Sequence, residues 1–365
     1  MDNLERDLAA LLRQREIIRA RERMLPFMKL IQPDPDDPEN AEASQYVETP
    51  LARLLCQVIE KVDAGTEKRV CVSVGPQMGK SQVLSRGGPA WLSGRRPSRH
   101  MILGSYNDTF AQEFGGDVRT IMRTPAYGQI FPKHELRKDT QSKNLLITNK
   151  GGKMAFVGVG GSGTGKPADL FFVDDPIKSA EDAESEVFRD KLWAWFNTTA
   201  FTRCHNHSAI IIVHTRFHED DLIGRLVDPT HPERHKKYKG IADQWTYYNL
   251  PAVVEDPELA AALDLKLETP EERYAGDEFA QRIVKAQFGN KPMVSLWEER
   301  KSLKFLAEAK QMDAGTFGAL YMGQPTPPDG DYFTLKDIVE YDRPSDIPAH
   351  IRWYCASDHA TGEKQ

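Results

Sequence analysis

The chain has 365 residues, 40% of them hydrophobic and 28% charged, with a net charge of −6, which excludes a disordered or fibrous chain and fits a globular protein of about two domains. The clean apolar run AIIIV at 209–213 is far too short to span a bilayer, and the charged N-terminus MDNLERDLAALLRQRE lacks a signal-peptide stretch. Cys56, Cys71, Cys204 and Cys355 show no C-x-x-C spacing, which argues against zinc and a disulfide framework and fits a reducing cytoplasm.

In chain order, residues 1–31 suggest a helix or two, with Leu4, Leu8, Leu11 and Leu12 on one face. Residues 32–48 hold six acids and no Lys or Arg, which accounts for the whole net charge; 32–44 read as a linker or surface loop. Residues 49–63 read as a helix with Thr49 as cap and Pro50 in the first turn. From there strands are expected at 70–74, 101–105, 145–148, 154–159, 170–174 and 209–214, and helices at 80–92, 107–123, 181–200 and 219–227. This alternation predicts an α/β fold whose mainly parallel sheet carries helices on its faces. Residues 256–290 read as helical and charged, and GQPTPPDGDYF at 323–333 reads as an inter-domain linker.

The strand at 70–74 runs into Gly75-Pro76-Gln77-Met78-Gly79-Lys80-Ser81, a Gly-rich turn that then opens a helix. Such a loop aims backbone N–H groups at phosphate oxygens, its Lys reaches the β/γ-phosphates, and its hydroxyl holds Mg²⁺. The first Gly of the G-x-x-x-x-G-K-[ST] pattern is missing, since Val74 stands there. GGSGTGK at 160–166 spaces better, but Pro167 follows it and then another strand, the wrong setting for a phosphate cradle. Its glycines read as a flexible connection.

LFFVDDP at 170–176 places Asp174 and Asp175 at the end of a buried strand. Asp174 is assigned to the metal-bound water and Asp175 to the attacking water; the bland alternative is a helix or turn cap. Glu181, Glu184 and Glu186 are substitutes for Asp175 as base. A third buried strand ends in His214-Thr215-Arg216. Thr215 is placed to sense the terminal phosphate and Arg216 to stabilise transition-state charge. The acids 219–221 read as a helix start that complements the dipole rather than a metal site. Arg95, Arg96, Arg99 and His100, and the basic stretch 231–240, are candidates for DNA phosphates, with solvated surface as the commoner reading.

The ordered series GPQMGKS, ILGSYNDTFAQEFGGDVR (102–119), FVGVGGSGTGKPADLFFVDDPIK (156–178), HTRFHEDDLIGRL (214–226), NLPA (249–252), LWEER (296–300) and YMGQPTPPDGDYF (321–333) resembles the large terminase subunit of tailed bacteriophages over residues 45–360. The resemblance implies an additional-strand, RecA-like P-loop ATPase with a small, mostly helical lid, followed by a ribonuclease H-like nuclease. It implies Lys80 and Ser81 as the Walker A pair, Asp174 as the Walker B acid, Thr215 in the coupling motif and Asp358 as the first nuclease metal ligand. It divides the chain into a lid-associated N-terminal segment 1–44, an ATPase core 45–250, a lid 251–322, a linker 323–345 and a first nuclease strand 346–365. Two departures stand out. Gln77 occupies a position where such loops often carry Arg, so a γ-phosphate Arg is expected from Arg119, Arg216 or a neighbouring subunit; and Asp175 replaces the usual Glu. The chain ends seven residues after Asp358, so DNA cleavage is not expected of it.

The expectation is therefore an ATP- and Mg²⁺-dependent motor that drives double-stranded viral DNA into a procapsid. Its implied partners are the portal protein, the small terminase subunit and further copies in a pentameric ring, with a monomer allowed in isolation. Its place is the host cell cytoplasm, docked transiently at the portal. The rival reading is a helicase-type or DNA-repair P-loop ATPase, which would need a second motor domain.

Overall fold

A computed structural model describes residues 3–38, 40, 43–161, 167–227 and 245–326. The stretch 231–240, the expected linker beyond Thr326 and nuclease strand, and Asp358 lie outside the described residues.

Eight strands form one sheet: β1 (Arg69–Val74), β2 (His100–Ser105), β3 (Leu136–Ser142), β4 (Leu145–Thr148), β5 (Lys153–Gly158), β6 (Ala168–Asp174), β7 (Cys204–His214) and β8 (Thr246–Leu250). Their order is β3-β4-β5-β2-β6-β7-β1-β8. From β5 to β8 every pairing is parallel, and β3 and β4 add an antiparallel edge. All six expected strands are present. The loop strand β1 does not touch the acid strand β6, because β7 lies between them, with Val72 opposite Val213 and Val173 opposite Ile212.

The period-two pleat sorts side chains onto two faces. Val70, Val72 and Val74 join Leu103, Phe172 and Ile211 in one apolar cluster, whereas Cys71 joins Ile102, Phe171 and Ile210 in the other. The first cluster is covered by α1 (Asn3–Glu22), α2 (Met24–Leu30), α3 (Pro50–Ala64), α4 (Gly88–Arg95), α5 (Asp108–Met122) and α6 (Pro125–Ile130). The second is covered by α7 (Ala180–Glu184), α8 (Glu186–Trp195) and α9 (Leu222–Val227). Both faces of the parallel sheet are thus dry, as βαβ crossovers require.

Local signals explain the helix limits. Thr49 Oγ1 accepts from Ala52 N at 3.0 Å with Pro50 behind it, and Gly65 ends α3 at φ 77°. The helix expected over 181–200 is broken at Ser185, whose extended backbone and hydroxyl cap start α8. The helix expected from 219 starts at Leu222, because Asp221 Oδ1 accepts from Gly224 N at 2.8 Å and acts as its cap. Residues 82–87 after the phosphate loop form a π-helical stretch, and a Cβ on Gly87 would run into Met28 Sδ. That close approach lets α2 pack onto the loop's helix.

Two domain expectations can be set beside the packing. α1 and α2 pack on α3, α4 and α6, and Trp91 Nε1 donates to Ala20 O at 2.9 Å. The leucine face does not drive this docking. Leu8 and Leu11 are 56% and 68% exposed, while Ile17, Ala20, Met24 and Phe27 are buried. The burial signal lies at the end of α1 and in α2, where the apolar residues meet Trp91 and Tyr127. The expected lid 251–322 does hold an antiparallel pair, β9 (Val253–Val254) and β10 (Val294–Ser295), and the helices Pro257–Ala262, Pro270–Arg273, Glu278–Phe288 and Leu303–Met312. Yet Val254, Val284, Leu306 and Phe317 belong to the same apolar cluster as β1, and the chain through Thr326 is one compact unit.

Candidate active site

The strand order converges three loops at the carboxyl edge of the sheet. β1 delivers the phosphate loop, β6 delivers Asp174 and Asp175, and β7 delivers His214 and Thr215 between them. The loop carries two left-handed residues, Gln77 at φ 60° and Gly79 at φ 82°. Glycine adopts that backbone without strain; Gln77 does not, and such strain concentrates at functional sites. Asp175 is strained too, at φ 41°. Its amide donates to Val213 O at 2.9 Å, which holds it at the strand edge.

Lys80 is buried, and its Nζ lies 2.7 Å from Asp175 Oδ2 and 3.0 Å from Thr215 Oγ1. Thr215 donates its amide to Asp175 Oδ1 at 3.0 Å and its hydroxyl to Val74 O at 3.2 Å. Ser81 Oγ donates to Asp174 Oδ1 at 3.2 Å. Lys80, Ser81, Asp174, Asp175 and Thr215 are therefore brought together.

The two acids differ in their affinity for a proton. Asp174 is fully buried, and burial, with the Asp175 charge beside it, pushes its carboxyl up to about 6. Burial also acts upward on Asp175, but the Lys80 ammonium and His214 outweigh it and hold this carboxyl below the usual range. Asp174 Oδ2 is buried with no hydrogen-bond partner among the described residues. An orphaned acid oxygen beside the loop hydroxyl is the donor set that a hard, oxygen-seeking cation takes, so Ser81 and Asp174 fit Mg²⁺.

Two cavities flank Lys80. One, of about 310 Å³, is lined by Gln77, Tyr106, Asp175, Thr215 and Phe217. The other, of about 300 Å³, is lined by Gln77, Gly79, Ser81, Trp297 and Arg300.

Several expected residues stand elsewhere. Arg216 is 5% exposed and does not face the loop: its Nε lies 2.6 Å from Asp221 Oδ2, and its Nη1 lies 3.4 Å from Tyr247 Oη. Burial works against its charge, and Asp221 and Tyr247 more than restore it, raising its pKa. Arg216 thus ties the strand end to α9. Arg119 lies eleven residues beyond Asp108 in α5, roughly 16 Å along the helix at 1.5 Å per residue, and lines neither cavity. Glu181, Glu184 and Glu186 are exposed and line neither cavity. The cluster of Arg95, Arg96 and Arg99 surrounds Asp63, which is 4% exposed, with Arg95 Nε at 2.7 Å and Arg99 Nη1 at 3.0 Å. These arginines neutralise a buried acid: Arg99 is buried with it, whereas Arg95 and Arg96 also reach the surface. No cluster of three or more metal-ligating side chains occurs among the described residues, the acids 219–221 included.

Sequence reasoning missed Arg300, Trp297 and His214. The first two lie in the LWEER stretch at 296–300, whose approach to the loop only the fold creates. His214 is fully buried between Asp175 Oδ1 at 3.7 Å and Asp221 Oδ2 at 3.6 Å, so it bridges the site to the Arg216 pair.

A mainly parallel sheet with an extra strand between the loop strand and the acid strand, and a Gly-Lys-Ser loop at its carboxyl edge, defines a P-loop nucleotide-binding domain of the additional-strand type. Residues 71–298, more than half of the chain, match the family described as terminase large subunit, T4likevirus-type, N-terminal. The chain belongs to this family of large terminase subunits. Among solved structures it is similar to the large terminase of bacteriophage HK97, with 12% identity over 84% of this chain and a TM-score of 0.48. It is also similar to the large terminase ATPase domain of Thermus phage P74-26, with 14% identity over 66% of this chain and 92% of that one and a TM-score of 0.34. The chain spans 55% of the HK97 protein. No curated protein sequence matches it.

Proposed function

We propose that this chain hydrolyses ATP and uses the energy to move double-stranded viral DNA into a procapsid. The observation that carries the reading is the convergence of Lys80, Ser81, Asp174, Asp175 and Thr215 around one loop. Phosphoryl transfer needs positioning and charge neutralisation rather than covalent help, and this set supplies both. Lys80 binds the phosphates, exchanging Asp175 for their oxygens. Ser81 and Asp174 are the residues that would hold Mg²⁺, which neutralises phosphate charge when bound. Asp175 stays ionised and orients the attacking water, fixed by the Thr215 amide. Thr215 sits between the Lys and the acid, so it registers whether the terminal phosphate is present. Arg216 is paired to Asp221 and Arg119 lines neither cavity, which supports an arginine from a neighbouring copy for the developing charge.

Family membership supports the wider setting: a homo-oligomeric ring, of which a pentamer is one form, docked at the portal protein in the host cytoplasm, with the small terminase subunit delivering DNA. The test is ATP turnover by the purified chain, alone and with portal-bearing procapsids and DNA, beside its Lys80→Ala variant. Turnover that rises on the portal and vanishes in the variant supports the reading. Retained turnover in Lys80→Ala, or absence of nucleotide binding by the parent, sinks it.

A further inference from the structure

The phosphate loop lacks an arginine of its own, yet one reaches it from distant sequence. Arg300 Nε donates to Gln77 O at 2.6 Å, across 223 residues of chain. The carbonyl is presented by the left-handed backbone of Gln77. The guanidinium lies over the Trp297 ring, 5.3 Å from its centroid. Its two terminal nitrogens donate to no acceptor among the described residues, so they keep their hydrogen-bonding capacity.

The segment that carries Arg300 is a closed turn. Ser295 Oγ donates to Lys301 O at 2.5 Å, Trp297 N donates to Ser295 Oγ at 3.2 Å, and Leu296 N donates to Ala252 O at 2.9 Å. Leu296 is buried in the main apolar cluster. Trp297 also lies against the loop, with its Cζ3 3.9 Å from where a Cβ on Gly79 would stand. The arginine is thus carried on a rigid, anchored support rather than a free tail.

The two cavities beside Lys80 divide the work. Asp175 and Thr215 line one, whereas Arg300 and Trp297 line the other with Gly79 and Ser81. In a P-loop the end of the loop and the following helix N-terminus face the inner phosphates. We propose that Arg300 binds the inner, α/β-phosphate portion of the nucleotide in cis, replacing the charge that Gln77 does not supply, and does not act on the terminal phosphate. A planar fork with free N–H groups suits phosphate oxygens. This inference rests on the ATP-site reading above. It implies that ATP and ADP are held alike by Arg300.

The experiment compares ATP and ADP affinity with steady-state turnover for the parent, Arg300→Ala, Arg300→Lys and Gln77→Arg/Arg300→Ala. The expected result is a loss of roughly 10-fold or more in affinity for both nucleotides in Arg300→Ala, as for a charged hydrogen bond, with KM raised and kcat little changed. Arg300→Lys recovers part of the affinity, and the double variant recovers more, because charge returns to the loop. Unchanged affinity in Arg300→Ala overturns the proposal. So does a collapse of kcat with ADP affinity intact, which would place Arg300 at the terminal phosphate. A parent that binds no nucleotide defeats the underlying ATP-site reading instead, and the Lys80→Ala variant run alongside separates the two failures.

Discussion

The two edges of the sheet each bury a cluster of charges, and they are built on opposite plans. At the amino edge Asp63 meets three arginines, with Arg96 Nη2 also donating to its backbone carbonyl at 2.9 Å. At the carboxyl edge Asp174 keeps an oxygen and His214 both ring nitrogens without a hydrogen bond among the described residues, and Gln77 and Asp175 hold strained backbones. A saturated cluster is a structural clamp. An unsatisfied, strained one is kept costly because something else is meant to complete it. Charge density alone does not distinguish them; satisfaction does.

Variants at the two edges should therefore fail in different ways. Lys80→Ala should drop turnover by ~10³-fold or more, as loss of a preorganised charge does, with a smaller stability loss than any change at Asp63, because Asp175 is 27% exposed and water can solvate it. ATPase assays with urea melts check both halves. Asp63→Ala should cost about 3 kcal/mol in urea unfolding, since it leaves the buried Arg99 without its counter-charge, while Arg95 and Arg96 can turn to water. Its remaining folded fraction should still turn over ATP; a selective loss of turnover at full stability would break the comparison.

A third effect lies away from both edges. His134 is buried against Tyr127, with Nε2 2.9 Å from Ser93 Oγ, and burial lowers its pKa from 6.5 to about 4. Because the unfolded chain binds the proton first, this group contributes stability above pH 6.5 that is lost as pH falls through 4. The loss should reach about 3 kcal/mol, from 1.36 kcal/mol per pKa unit. Urea midpoints from pH 7 to 4 should flatten over that window in His134→Gln. The smallest effect is Thr215→Val: about 1 kcal/mol of stability for the lost bonds to Lys80 and Val74, with a larger fall in turnover. Equal losses in both would make Thr215 a structural residue like Asp63.

Local chemistry made much of the fold legible. The β-rich runs, Thr49 with Pro50, and Gly79 with Lys80 and Ser81 each state their structure within a few residues, because strand periodicity, capping and left-handed glycine are short-range effects. The carboxylates at the end of β6 were readable for the same reason. The leucines of α1 misled, because amphipathic spacing shows that a face exists and not what covers it. Arg216 and the arginines near residue 95 misled because a guanidinium in sequence carries no record of its partner, and Asp221 and Asp63 take it through space.

What the sequence by itself determined is the P-loop, its strand and the acid strand: the parts written in contiguous residues. Only the tertiary structure decided which strand separates them, which arginines are already neutralised, and that Arg300 arrives at Gln77. The reason is physical. Strand order and charge pairing depend on contacts between residues far apart in the chain, and electrostatic partnership is set by distance and burial rather than by sequence neighbourhood.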